Sequence, residues 1–197
     1  MVHEGLRRLR ARVLARRLAK DERGATAVEF AIVSLPFLAM LFGIMSVCLY
    51  FFTVLYTENA LWTASRDLRT GIYQTASAGS RYAGLSGDTL KTEFKKAICE
   101  LTPNYADCMS NMRVLVQSRT TFSSIVDPNC LTATNDLVSE TDAMAAFSVG
   151  AASAVVMVTA CYKWKFGGSL PFMKMGSMSD GSLLIQASAA FRTEPYN

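Results

Sequence analysis

The sequence is almost without histidine: of 197 residues, His3 is the only one. Everything beyond it therefore lacks the base of a Ser-His or Cys-His nucleophilic site. No Gly-rich phosphate loop follows a strand pattern. The carboxylates Asp88, Glu93, Asp127, Asp136, Glu140 and Asp142 form no pair that spacing alone singles out, and Glu140 and Asp142 read as parts of a solvated loop. An enzyme is not expected. An excess of basic charge is missing from most of the chain as well. Residues 1–24 hold eight Lys/Arg against three Asp/Glu, while the remaining residues hold twelve against thirteen. The net charge of +4 is a property of the N-terminus, so the basic face that a nucleic-acid-binding domain needs is absent. Close C-x₂₋₄-C pairs are also lacking, which argues against a structural zinc site.

Charge of either sign is absent from Phe30 to Thr57, a run of 28 positions. About 20 apolar residues suffice to cross a bilayer, and the run must be helical there because lipid offers the backbone no hydrogen-bond partners. A cleaved secretory signal has an apolar region of only about 7–15 residues. A lipoprotein signal fails too, since Val47 rather than a small residue precedes Cys48. The run is therefore expected to stay as an anchor. Its basic flank lies on the N-terminal side, which by the positive-inside rule puts the N-terminus in the cytoplasm and everything after about residue 57 outside. Pro36 and Gly43 lie inside the run, and both are tolerated in membrane helices. Cys48 reads as a small buried apolar residue. Leu6, Leu9, Val13, Leu14 and Leu18, interleaved with arginines, can also form a basic helix on the anionic leaflet.

One carboxylate, Glu29, stands at the start of this run, where an ionisable group is a functional suspect. It can be solvated at headgroup level or favour the positive end of the helix. Its surroundings say more. In "ERGATAVEFAIVSLPF", residues 22–37, Gly24 is followed by four residues and then by Glu29-Phe30. This resembles the processing site of type IV prepilins. The resemblance implies that a prepilin peptidase cuts between Gly24 and Ala25, removing the basic leader. It also implies that Glu29 of one subunit meets the new α-amino group of a neighbour, with Phe30 packed against neighbouring helices. Burying either charge alone would cost several kcal/mol, so such a pair would set the register between subunits. The start Gly-Ala-Thr-Ala-Val-Glu-Phe, with "RTG" at 69–71, "FKKAIC" at 94–99 before Cys108, and "FRTEPY" at 191–196, is similar to the TadE-like minor pseudopilins of Flp-type (tight-adherence) pilus systems. That likeness implies partners among the pilins and pseudopilins of the Tad machinery, no cofactor, and a pilin-like lollipop.

Beyond the run, the spacing of Leu61, Ser65, Leu68 and Ile72 predicts that the helix continues to about residue 70, with Gly71 as its stop. Residues 74–87 read as a loop. A second helix follows, capped by Asp88, with Leu90, Phe94, Ala97, Ile98 and Leu101 as its apolar face and Lys91, Lys95 and Lys96 on the solvated one. Strands are expected over 112–118, 155–166 and 183–192, with Tyr162, Trp164 and Phe166 alternating against Lys163 and Lys165. Asp127-Pro128 and Gly167-Gly168 mark turns, and 123–143 reads as irregular. Residues 143–162 are free of charge and compete as a second span, with Lys163, Lys165 and Lys174 then facing the cytoplasm. Their first half is only weakly apolar and their second is β-branched, which favours a strand.

Four cysteines lie beyond the anchor, an even count that outside the cytoplasm argues for disulfides. Three pairings are open. Cys99–Cys108 is expected first because it ties the helix end to the next loop, which leaves Cys130–Cys161.

The expected architecture is α+β: a basic leader over 1–24, a transmembrane helix over 25–57, and a disulfide-bonded periplasmic domain with an antiparallel sheet over 58–197. The expected function is a minor pseudopilin acting in assembly or initiation of a Flp/Tad-type pilus. The alternative is an uncleaved single-span anchor presenting a periplasmic binding domain.

Overall fold

The computed structural model describes residues 24–76, 78–166 and 176–195. The leader up to residue 23, the Gly167-Gly168 turn, Lys174 and Tyr196 lie outside the described residues. Among the described residues, five α-helices and three strands follow in the order α1 (Ala25–Arg69), α2 (Ile72–Thr75), α3 (Gly87–Cys99), α4 (Tyr105–Asn111), β1 (Met112–Arg119), α5 (Glu140–Ala145), β2 (Val155–Trp164) and β3 (Leu183–Arg192), with a 3-10 turn at Phe122–Ser124 between β1 and α5. The chain divides into two compact units, 1–45 and 46–197.

The first unit is described from Gly24 onward and is helical. Its large side chains are exposed on every side, with Phe30 at 73%, Ile32 at 68% and Phe37 at 62%. A helix apolar all round is the pattern of a membrane span. α1 is long and apolar enough to cross a bilayer, and Pro36 lies inside it. Cys48, expected to be buried, is exposed.

The second unit is an α+β fold built on the later part of α1. Thr57, Ala60, Leu61, Ala64, Ser65 and Leu68 are buried and follow a three- and four-residue spacing that makes one stripe; Ser46, about three turns earlier, is buried too. The sheet has the order β1-β2-β3 and is antiparallel throughout. Met112 pairs with Tyr162 and Arg119 with Val155; Val155 in turn pairs with Arg192, and Trp164 with Leu183. Period-2 alternation directs Val156, Val158, Ala160, Tyr162 and Trp164 to the α1 side, where they share a core with Leu61, Phe94 and Ile98. The opposite face is also covered. There Leu115 and Cys161 pack with Cys130 and with Ala143 of α5. This explains why β2 is buried on both faces.

The segment over 143–162 is not a second span: it passes through α5 into the central strand of the sheet. α1 does stop at Arg69, where Gly71 takes a left-handed φ of 80° that suits glycine. The expected loop over 74–87 begins instead with the end of the short helix α2. Asp88 is not the cap of α3. Ser86 occupies that place without a side-chain bond, and Asp88 lies in the first turn. Leu101 falls beyond α3 and is exposed.

Candidate processing and assembly site

Gly24 immediately precedes α1, and a Cβ built on it would meet no atom within 4 Å. Nothing in the described fold requires a glycine there, neither a close contact nor a left-handed backbone. Glu29 is the fifth residue of α1 and is exposed. Among the described residues it has no ion-pair partner. Four residues of helix rise about 6 Å, and the Cα–Cβ bond of a helical residue tilts toward the N-terminus. The carboxylate of Glu29 therefore leans over the first turn of α1. The unsatisfied N–H groups and the positive end of the helix dipole lie there. A chain beginning at Ala25 would place its α-amino group in the same region. Phe30, beside Glu29, is among the most exposed large side chains of the described chain.

The structure brings together the cysteines that the sequence singles out. Cys99 at the end of α3 and Cys108 in α4 stand at disulfide distance, with Cα atoms 5.5 Å apart. Cys130 and Cys161 do so at 5.6 Å, and tie the irregular stretch to the centre of β2. Two of the quoted motifs also meet. The backbone N–H of Glu194 donates to the carbonyl of Arg69 over 2.7 Å, and the two side chains pair at 3.5 Å. Phe191 is buried under the sheet, and Thr193 is held by the carbonyls of Ala151 and Ala154. The "RTG" and "FRTEPY" segments thus form one closure where α1 ends.

The "FKKAIC" segment holds the main surprise. Lys95, expected on the solvated face, is only 5% exposed, and its ammonium donates to Glu140 at 2.8 Å. The Arg113 guanidinium reaches the same carboxylate at 2.9 Å. Glu140 is therefore no loop residue: it opens α5 and joins that helix to α3 and β1. Burial lowers the Lys95 pKa, and the bond to Glu140 opposes this. Lys91 also turns inward and donates to the carbonyl of Met144. The helical period of α3 could not reveal this, because the covering element lies 45 residues away along the chain. Nor did the sequence indicate the contact between Tyr82 and Asp67 of α1 at 3.0 Å, or that between Tyr162 and Asp107. Among the described residues no three His, Cys, Asp or Glu side chains gather where a metal ion could sit.

Residues 24–66 match the model of the TadE-like protein family. Over that stretch, and not beyond it, the chain is similar to TadE-like proteins. The matched range opens on Gly24 and contains Ala25, Glu29 and Phe30 together with most of α1. The match suggests involvement in a Tad pilus system. The "RTG", "FKKAIC" and "FRTEPY" segments lie beyond the matched residues. Neither a curated protein nor a solved structure gives a significant match to the chain.

Proposed function

We propose that the chain is a minor pseudopilin of a Tad/Flp-type pilus, cut by a prepilin peptidase between Gly24 and Ala25. One observation carries this reading. The TadE-like match begins at a glycine that the described fold does not need. A residue without Cβ at an open position, followed one turn into an apolar helix by a glutamate with no ion-pair partner among the described residues, suits recognition by something outside the chain. The small residue gives a peptidase close access to the bond after it. Glu29 then supplies a carboxylate for the α-amino group of a neighbouring subunit, a pairing in low dielectric that sets register because either charge alone is costly. The inner membrane holds α1, the folded unit faces the periplasm, and the partners are other pilins and pseudopilins. The work is assembly, without catalysis.

The test is the intact mass and N-terminal sequence of the protein from membranes, with and without an active prepilin peptidase. A start at Ala25 that depends on the peptidase is expected. An intact leader in both samples would favour an uncleaved anchor presenting a periplasmic binding domain.

A further inference from the structure

The uncharged run from Phe30 to Thr57 is longer than a bilayer needs. Counted from its start, about 20 residues end at Leu49; counted back from Glu58, they begin at Leu38. Composition does not choose between these registers, but packing does. Tyr50 and Val54 pack against the sheet's core, and Thr57 is 1% exposed inside it. A stretch of helix with one face packed against a folded sheet cannot be surrounded by hydrocarbon, so the part of α1 with lipid on every side ends before Tyr50.

The side chains at that boundary are aromatic. The Trp164 ring lies 6.2 Å from Tyr50 and 5.6 Å from Phe166. Phe166 is 48% exposed, and Phe51 and Phe52 are similarly open. Trp164 also lines, with Leu49, Phe52, Lys165 and Phe166, an open cleft of about 550 Å³. Trp and Tyr gather at membrane–water interfaces, where an apolar body and a polar tip are both satisfied. We propose that this end of the folded unit is seated in the lipid interface. On this proposal Trp164 and Phe166 lie at headgroup depth on the domain's side of the bilayer. The occupant is lipid because the cluster is continuous, through Leu49 and Tyr50, with the span itself. The inference rests on reading α1 as a membrane helix.

The test uses the full chain reconstituted in phospholipid vesicles, with bromine placed either near the headgroup or near the chain end. Trp62→Phe leaves Trp164 as the only tryptophan, and Trp164→Phe leaves Trp62, which is exposed about three turns farther along α1. Adding Phe166→Trp to the doubly substituted chain puts the reporter on the exposed rim. Headgroup-level bromine is expected to quench Trp164 and the reporter at 166 but not Trp62, and aqueous iodide is expected to do the reverse. Iodide quenching at 166 without lipid quenching, in protein that resists alkaline extraction, would overturn the proposal and leave the span intact. Protection of the exposed reporter at 166 from both quenchers would mean that protein covers this face, and would overturn it as well; Trp164 is shielded from iodide by the fold itself. Protein that washes out of the vesicles would remove the span reading and this inference together.

Discussion

Lys95 shows how one side chain joins distant parts of the fold. Its ammonium and the Arg113 guanidinium share the Glu140 carboxylate. Replacing Glu140 by Ala leaves a buried ammonium without its counter-charge. Removing one partner of a fully buried pair costs about 3–5 kcal/mol, but the Glu140 side chain is 40% exposed, so a loss of about 1–2 kcal/mol is expected. Lys95→Met should be nearly neutral, because it removes the desolvated charge itself. Denaturant unfolding of both variants checks the asymmetry. Ser65 offers the opposite case: its hydroxyl is buried without a hydrogen-bond partner among the described residues. Ser65→Ala should therefore raise stability by about 1 kcal/mol. The buried phenols predict a pH response. Burial pushes Tyr73, Tyr82 and Tyr162 above their ordinary value of 10.0. The folded state then keeps protons that the unfolded state releases, so this contribution is complete below pH 10 and is lost as the pH rises beyond it. The share of tyrosinate absorbance that belongs to these three, of seven tyrosines in the chain, should appear together with loss of secondary structure above pH 10. Ionisation of these tyrosines at their ordinary value with the fold intact would contradict the burial.

Among the elements, the two cysteine links differ in what they close. Their sequence separations are 31 and 9. By loop entropy, losing Cys130–Cys161 should cost about 1 kcal/mol more than losing Cys99–Cys108. Paired Cys→Ser variants compared by unfolding, with mass measured under non-reducing conditions, test both the bonds and their ranking. Gly71 ends α1 with a positive φ, and Gly71→Ala should cost about 1 kcal/mol. The elements that were legible in the sequence carry strong local signals: the uncharged run, the glycine stop, and the alternation at the end of β2. The short helices α4 and α5 were not legible. Their caps are the side chains of Asn104 and Ser139, and their stability comes from what they cover. α5 packs Ala143 over Leu115 and Cys161, a contact between segments far apart in the chain. The inward turn of Lys95 was hidden for the same reason. Of the candidate site, Gly24 and Glu29 were visible as residues. The open space at Gly24 and the absence of a carboxylate partner within the described chain needed coordinates.

For the whole molecule, Glu29→Ala is the decisive variant under the proposed function. Cleavage after Gly24 should persist, because the bond and its small residue are unchanged. Incorporation with pilin-type partners should fall, as read by co-isolation from membranes. Normal incorporation would remove Glu29 from the assembly role. The stretch from Tyr50 to Arg69 rises about 30 Å, and a ten-residue strand covers about 33 Å. The sheet therefore runs alongside this stretch over its full length, from the Tyr50–Trp164 contact to the Arg69–Glu194 closure. That closure has a mechanical consequence. An axial pull on α1 reaches β3 at once through the bond from Glu194 to Arg69, without first straightening the turn at Gly71. The strands lie along the direction of pull, so their hydrogen bonds are loaded together in shear rather than opened one after another. A fold tied in this way carries tension as a unit.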